Sequence, residues 1–302
     1  MTAARGPLEG VRVLDLTRIV AGPMATFYLA SLGAEVIRIE APGGDLTWKV
    51  PPFFGPGGDH TGERAPSDVA IGTLKRNRGK RSVVLDLRLR AACDVLGRLA
   101  EKADVLVENL RPGVLDELGV GYAKLSARNP RLVWCAITGF GQFGPYRDRQ
   151  AMDFTMQAMT GVQAHTGFPD GPPTKTALLA GDLAPATFAT LGIVSALYER
   201  HVTGSGQFVD VSMHDVLTSW LWDEPLDAYE DAGAPHRHGN REPPGSPSNT
   251  YRCGDGWVNI VVVDDRQWPR LTQLVGRPDL TVHDTNRKRV LANDEIDDAI
   301  AA

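Results

Sequence analysis

Residues 11–40, "VRVLDLTRIVAGPMATFYLASLGAEVIRIE", restrict the fold more than any other stretch. Residues 11–17 alternate and are rich in Val and Leu, 22–33 read as a helix ending at a glycine, and 34–40 return to strand alternation. A helix between two strands gives the connection length that parallel pairing needs. The pattern recurs as strand 81–88, helix 91–103, strand 104–110, strand 131–141, helix 183–201 and strand 206–213. The expected class is therefore α/β, an open parallel sheet with helices on both faces.

The composition changes at 230–249, "EDAGAPHRHGNREPPGSPSN", a Pro-, Gly- and Ser-rich boundary. Beyond it, 250–265 read as two strands around a Gly-Asp-Gly turn. The expected organisation is a large domain over 1–229, then a linker and the start of a smaller α+β domain over 230–302, with little material for a core.

The net charge of -5 over 302 residues gives no basis for non-specific binding to nucleic acid or an anionic membrane, so an anionic ligand needs a local basic cluster. Cys93, Cys135 and Cys253 are odd in number and far apart, which fits a reducing cytoplasm and no disulfide framework. No secretory leader or membrane span is read from the chain. His165 and the pair His236/His238 have no carboxylate or cysteine at a ligand spacing, so no metal site is expected.

Glu40 stands where a dinucleotide-binding unit keeps its ribose carboxylate. That chemistry needs a glycine-rich turn after the first strand, and "TRIVAGPMA" has one glycine, which argues against a nicotinamide cofactor. "LKRNRGKRS" carries Lys75, Arg76, Arg78, Lys80 and Arg81, suited either to a polyphosphate or to a solvated loop. "ENLRPGVLDELG" turns from strand to helix at the strand end, where open parallel sheets bind ligands, making Asn109 and Arg111 candidate contacts. Asp182 is a lone charge in "TALLAGDLAPATFAT" and reads as a helix N-cap or a carboxylate kept for chemistry.

Taken in order, "LEGVRVLDLTRIVAGPMATFYLASLGAEVIRIEAPGGD", "RGKRSVVLDLR", "ADVLVENLRPGVLDELG", "NPRLVWCAITGFGQFGP", "MDFTMQAMTG" and "ALYERHVTGSGQFVDVSMHD" resemble the signature segments of the class III coenzyme A transferase family, CaiB/BaiF. The match runs from residue 8 to about 265. The resemblance implies a Rossmann-like large domain, an interlocked homodimer, acyl-CoA and a small carboxylic acid as substrates, and no permanently bound cofactor. It makes Asp182 the nucleophile, forming an aspartyl acyl anhydride. It implies coenzyme A contacts at Val20, Ala21, Leu85, Asp86, Leu87, Arg88, Asn109, Leu110, Arg111, Gln150, Ala151, Met152 and Asp153.

This chain departs from the family pattern in places. A basic residue after the second strand is Ala41 here and another is Glu117, so Arg38, Arg111 or the 75–81 cluster would have to replace them. The racemase branch pairs the aspartate with a histidine where Met152 stands, and methionine moves no proton, which favours transferase over racemase. Family members usually continue further. The early end therefore implies a truncated or non-catalytic CoA-binding chain, or a second subunit, as alternatives.

Overall fold

The computed structural model describes residues 6–221, 237–242 and 245–302. Strands β1 (Arg12–Asp15) and β2 (Glu35–Glu40) are followed by short strands β3 (Phe53–Gly55), β4 (Gly58–His60) and β5 (Val69–Ala70). Then come β6 (Lys80–Val84), β7 (Val105–Glu108), β8 (Val133–Thr138) and β9 (Phe208–Ser212). Six of these form one sheet in the order β6-β2-β1-β7-β8-β9, and every neighbouring pair is parallel. Numbered along the chain within that sheet, the order is the Rossmann one, reversing direction between β1 and β7. The antiparallel set β4-β3-β5 has no counterpart in the strand reading.

Helices cover both faces because side chains alternate along each strand. Leu14, Leu106, Trp134 and Ala136 join Leu96 and Ala100 of the helix Arg90–Ala100 and Leu125 of the helix Tyr122–Arg128 in one core. Val13 and Asp15 therefore point to the other face, where the helix Ala21–Ser31 packs along the helix Ala180–Thr203. That last helix is long and apolar enough to cross a membrane by length and composition, but it packs on β8 and β9 and buries one side in this layer.

Two boundaries differ from the sequence reading in ways that matter. Strand 81–88 stops at Val84, because β2 ends at its partner Glu40, so Leu85 to Arg88 leave the sheet as a loop. Helix 183–201 begins three residues earlier, at Ala180. Pro185 lies inside this helix, where its missing N–H leaves the Gly181 carbonyl without its usual helical partner.

The chain divides into two units, Met1–Thr160 with Ala177–Asp223, and Gly161–Thr176 with Glu224–Ala302. The segment Gly161–Thr176, placed by sequence inside the larger domain, groups with the second unit. Of the 230–249 stretch, residues 230–236 and 243–244, including His236, lie outside those described. In the second unit β10 (Ser248–Cys253) and β11 (Gly256–Val261) form the antiparallel hairpin expected at the Gly-Asp-Gly turn. The unit has its own core of Val262, Trp268, Leu280, Ile296 and Ala299, more than the short sequence suggested. A fully buried Arg289 extends it: the guanidinium lies over Trp268, donates to the Ser246 carbonyl at 2.6 Å and pairs with Asp265 at 2.7 Å.

Candidate active site

The reversal between β1 and β7 leaves a crevice at their carboxyl ends, and the two loops there are tied together. Asn109 accepts from the Arg18 amide at 2.7 Å and donates to the Arg18 carbonyl at 2.8 Å. Ile19, next in line, has φ 68°, a left-handed conformation uncommon for a β-branched residue, and its amide donates to Asp45 at 2.8 Å. Gly22 opens the next helix against Thr17, where an added Cβ would lie 2.3 Å from the Thr17 Cβ. The single glycine of "TRIVAGPMA" is thus required by its packing on Thr17.

Beside these loops lies a cavity of about 520 Å³. Its walls include Leu85, Asp86, Leu87, Arg88, Leu110 and Arg111, so six residues expected from sequence to hold coenzyme A are brought together. Ala41 is there too, and Arg18 joins Arg88 and Arg111 as basic groups. A neighbouring cavity of about 480 Å³ shares Arg88 and adds Arg90, Lys124 and Arg128, with Glu117 in its wall. Asn109 braces the loops, while Val20 and Ala21 are buried at the start of the helix and do not line the cavity. Glu108 accepts from the Leu110 amide at 2.7 Å and so holds this turn; burial pushes its carboxyl up to about 7.

The basic run 75–81 is not one phosphate cradle. Strand alternation turns Lys80 inward, where it pairs with Asp15 at 3.0 Å, and leaves Arg81 outside with Glu35 at 2.8 Å. Arg78 lies over the Phe27 ring. Arg38 is buried as well, bonded to Asp45 at 3.0 Å and Asn77 at 3.1 Å. Neither Lys80 nor Arg38 can replace a phosphate contact without breaking this network. Burial alone would raise the Asp15 carboxyl, but Lys80, Arg38 and the Thr17 and Thr26 hydroxyls together hold it below the usual range.

The second candidate element is the turn at Asp182. Asp182 does not cap its helix: Leu179 is the N-cap and Asp182 stands inside the first turn. The buried Asp153 fixes that turn by accepting from the Gly181 amide at 2.7 Å, and an added Cβ at Gly181 would lie 2.9 Å from Asp153 backbone atoms. Gln157 donates to both Asp153 oxygens at 3.0 Å. Of the other expected contacts, Ala151 packs on Gly139 at the end of β8, Gln150 is exposed, and Met152 is 64% exposed.

Among the described residues no hydrogen bond or ion pair reaches the Asp182 side chain. Burial first, and then the charge of Asp153, push its carboxyl up to about 6, against a lowering influence from Arg76. It is therefore ionised at neutral pH yet poorly solvated, as a carboxylate nucleophile should be. The Gly181, Asp182 and Leu183 amides are already engaged by Asp153 and the Leu179 carbonyl, so they are not free to stabilise developing charge. Sequence reasoning missed the structural roles of Asp15, Lys80, Asp45 and Glu108. The charge of Asp15 inside an apolar strand was the available signal.

A family model for CoA-transferase family III matches residues 8–302. The chain is similar to the acetyl-CoA:oxalate CoA-transferase of Acetobacter aceti, 38% identical over 301 residues, 98% of this chain and 74% of that protein. It is similar to the succinyl-CoA:mesaconate CoA-transferase of Haloarcula hispanica, 38% identical over 96% of this chain and 72% of the relative. Among solved structures, a CaiB/BaiF family protein from Brucella suis matches with a TM-score of 0.85 and 35% identity, covering 99% of this chain and 78% of the other.

Proposed function

Because the chain belongs to CoA-transferase family III, we propose that it moves coenzyme A from an acyl-CoA to a short carboxylic acid through a covalent intermediate on Asp182. The observation that carries this reading is a half-buried carboxylate, fixed in a helix turn, that no hydrogen bond or ion pair reaches among the described residues.

In the first step an Asp182 oxygen attacks the thioester carbonyl. The C–S bond breaks, coenzyme A leaves as the thiolate, and an aspartyl acyl anhydride remains. The thiolate then attacks the aspartyl carbonyl and releases the donor acid, leaving an aspartyl thioester. The acceptor carboxylate attacks that thioester, and the thiolate returned to the new anhydride at the acceptor carbonyl gives the new acyl-CoA and free Asp182. The half-buried surroundings slow hydrolysis of the anhydride. Met152, where a racemase would need an acid or base, carries a thioether that can do neither.

The nucleotide end of coenzyme A goes to the cavity walled by Leu85 to Arg88, Leu110 and Arg111. Arg18, Arg88 and the neighbouring Arg90 and Lys124 supply the positive charge missing at Ala41 and Glu117. Phe188, Leu191, Tyr198 and Val202 leave an exposed apolar stripe along the long helix, which supports a homodimer; sedimentation should give the mass of two chains. The odd, dispersed cysteines support a cytoplasmic enzyme.

The decisive experiment incubates the protein with acyl-CoA and hydroxylamine and maps the modified residue by mass spectrometry. A hydroxamate on Asp182 is expected. Transfer continuing at the wild-type rate in Asp182→Asn would overturn the mechanism.

A further inference from the structure

Among the described residues, Ile19 is the one non-glycine residue with a positive φ, 68°. A β-branched residue does not keep that conformation by itself, and such strain persists only where the surroundings over-determine it. Core packing does not supply the constraint, because Ile19 is 41% exposed. Hydrogen bonds from two distant segments do. Asn109 bonds both the amide and the carbonyl of Arg18, at 2.7 and 2.8 Å, and Asp45 accepts from the Ile19 amide at 2.8 Å.

Asp45 can hold that amide because it is itself fixed. It is buried, and the oxygen that receives Ile19 also accepts from Arg38 at 3.0 Å. Its other oxygen accepts from the Thr47 amide at 2.8 Å and the Thr47 hydroxyl at 2.9 Å, which caps the short helix Leu46–Lys49. That hydroxyl meets Thr73 at 3.0 Å. Burial alone would raise the Asp45 carboxyl, but these donors hold it below the usual range.

The strained residue has a neighbour with a task on each side. Arg18 walls the nucleotide cavity with Leu16 and Arg111, whereas Val20 is buried at the start of the helix Ala21–Ser31. A left-handed residue between them turns the chain from the cavity wall into the helix. Ordinary backbone angles at Ile19 would redirect one neighbour. With Val20 locked in the core, it is Arg18 that would leave the wall.

We propose that Asp45 is a positioning residue for coenzyme A binding, holding Ile19 left-handed so that Arg18 stays on the wall of the nucleotide cavity. The assignment rests on coenzyme A occupying that cavity. Asp45 itself touches no substrate. It acts by removing, before binding, conformational freedom that an unconstrained loop would lose on binding.

The test measures the dissociation constant of free coenzyme A by isothermal titration of the purified chain. Asp45→Ala should weaken binding by about tenfold or more. Acyl-CoA KM should rise with it while kcat at saturation is unchanged, because only binding is lost. Adding Ile19→Gly to Asp45→Ala should recover most of the affinity, since glycine takes a positive φ without steric cost. Ile19→Pro should weaken binding as Asp45→Ala does, because its ring fixes φ near about −65°. That variant leaves the Arg38 and Thr47 bonds of Asp45 in place, so the proposal stays testable if Asp45→Ala does not fold.

Wild-type affinity in Ile19→Pro would overturn the proposal. So would a loss in Asp45→Ala that Ile19→Gly does not recover, which would mark Asp45 as a support for Arg38 and the short helix alone. Arg18→Met and Arg111→Met are titrated in parallel. Unchanged affinity in both defeats the placement of coenzyme A in the cavity, whereas weakened affinity in both beside an unaffected Ile19→Pro defeats only the assignment of Asp45.

Discussion

Asp15 and Asp182 are both carboxylates removed from bulk water in the same unit, and their surroundings are opposite. Asp15 meets Lys80 at 3.0 Å and the Thr26 hydroxyl at 2.7 Å, with Arg38 beside it, and stays ionised below the usual range. Asp182 has a second carboxylate, Asp153, for a neighbour and a cation that does not touch it, and its carboxyl rises to about 6. Burial acts on both in the same direction. What separates the two carboxylates is whether the fold supplies donors to them.

The sharpest way to break the comparison is to neutralise Asp182. Asp182→Asn should lower kcat by about 10⁴-fold or more, as loss of a nucleophile does elsewhere. Its effect on stability should have the opposite sign. The folded protein holds the Asp182 proton up to about pH 6, whereas the unfolded chain releases it near its ordinary value of 3.8. Stability from this group is therefore lost as pH rises between those values, and the variant should melt at or above the wild-type temperature at neutral pH. A lower melting temperature would show that Asp182 has a structural partner after all.

Asp15→Asn should do the reverse. It leaves Lys80 and Arg38 buried without their shared anion, and breaking such a pair costs about 3–5 kcal/mol. Denaturant unfolding reads this directly; a cost under about 1 kcal/mol would place the network among weak surface pairs.

The smallest effect is expected at Asp153. Asp153→Asn keeps an oxygen for the Gly181 amide but removes the like charge that raises Asp182. In the wild type kcat/KM should fall as pH drops through about 6, because the nucleophile must be ionised. In the variant that acid limb should move to lower pH. An unmoved limb would mean that burial alone sets the carboxyl of Asp182.

Much of the sheet was legible because its signals are local. Val–Leu alternation in 11–17 and helices between successive strands dictate parallel pairing, and the Gly-Asp-Gly turn announced the β10–β11 hairpin. That Leu85 to Arg88 and Leu110 to Arg111 lie together was legible too, through the resemblance of "RGKRSVVLDLR" and "ENLRPG", since both segments follow strands that finish at the same end of the sheet. The strand β3 to β5 set was not legible, as two- and three-residue strands carry too little periodicity.

The sequence by itself determined the alternation of strands and helices, the family, and the position of a lone acid at 182. Only the tertiary structure decided what each charge is for. Lys80 and Arg76 stand four residues apart in one basic run, yet one is bonded to Asp15, 65 residues away in sequence, and the other makes no ion pair among the described residues. A charge costs or contributes according to its distance from other charges and from water. Those distances are fixed by how the helices Ala21–Ser31 and Ala180–Thr203 pack against the sheet, far along the chain from the residues they arrange.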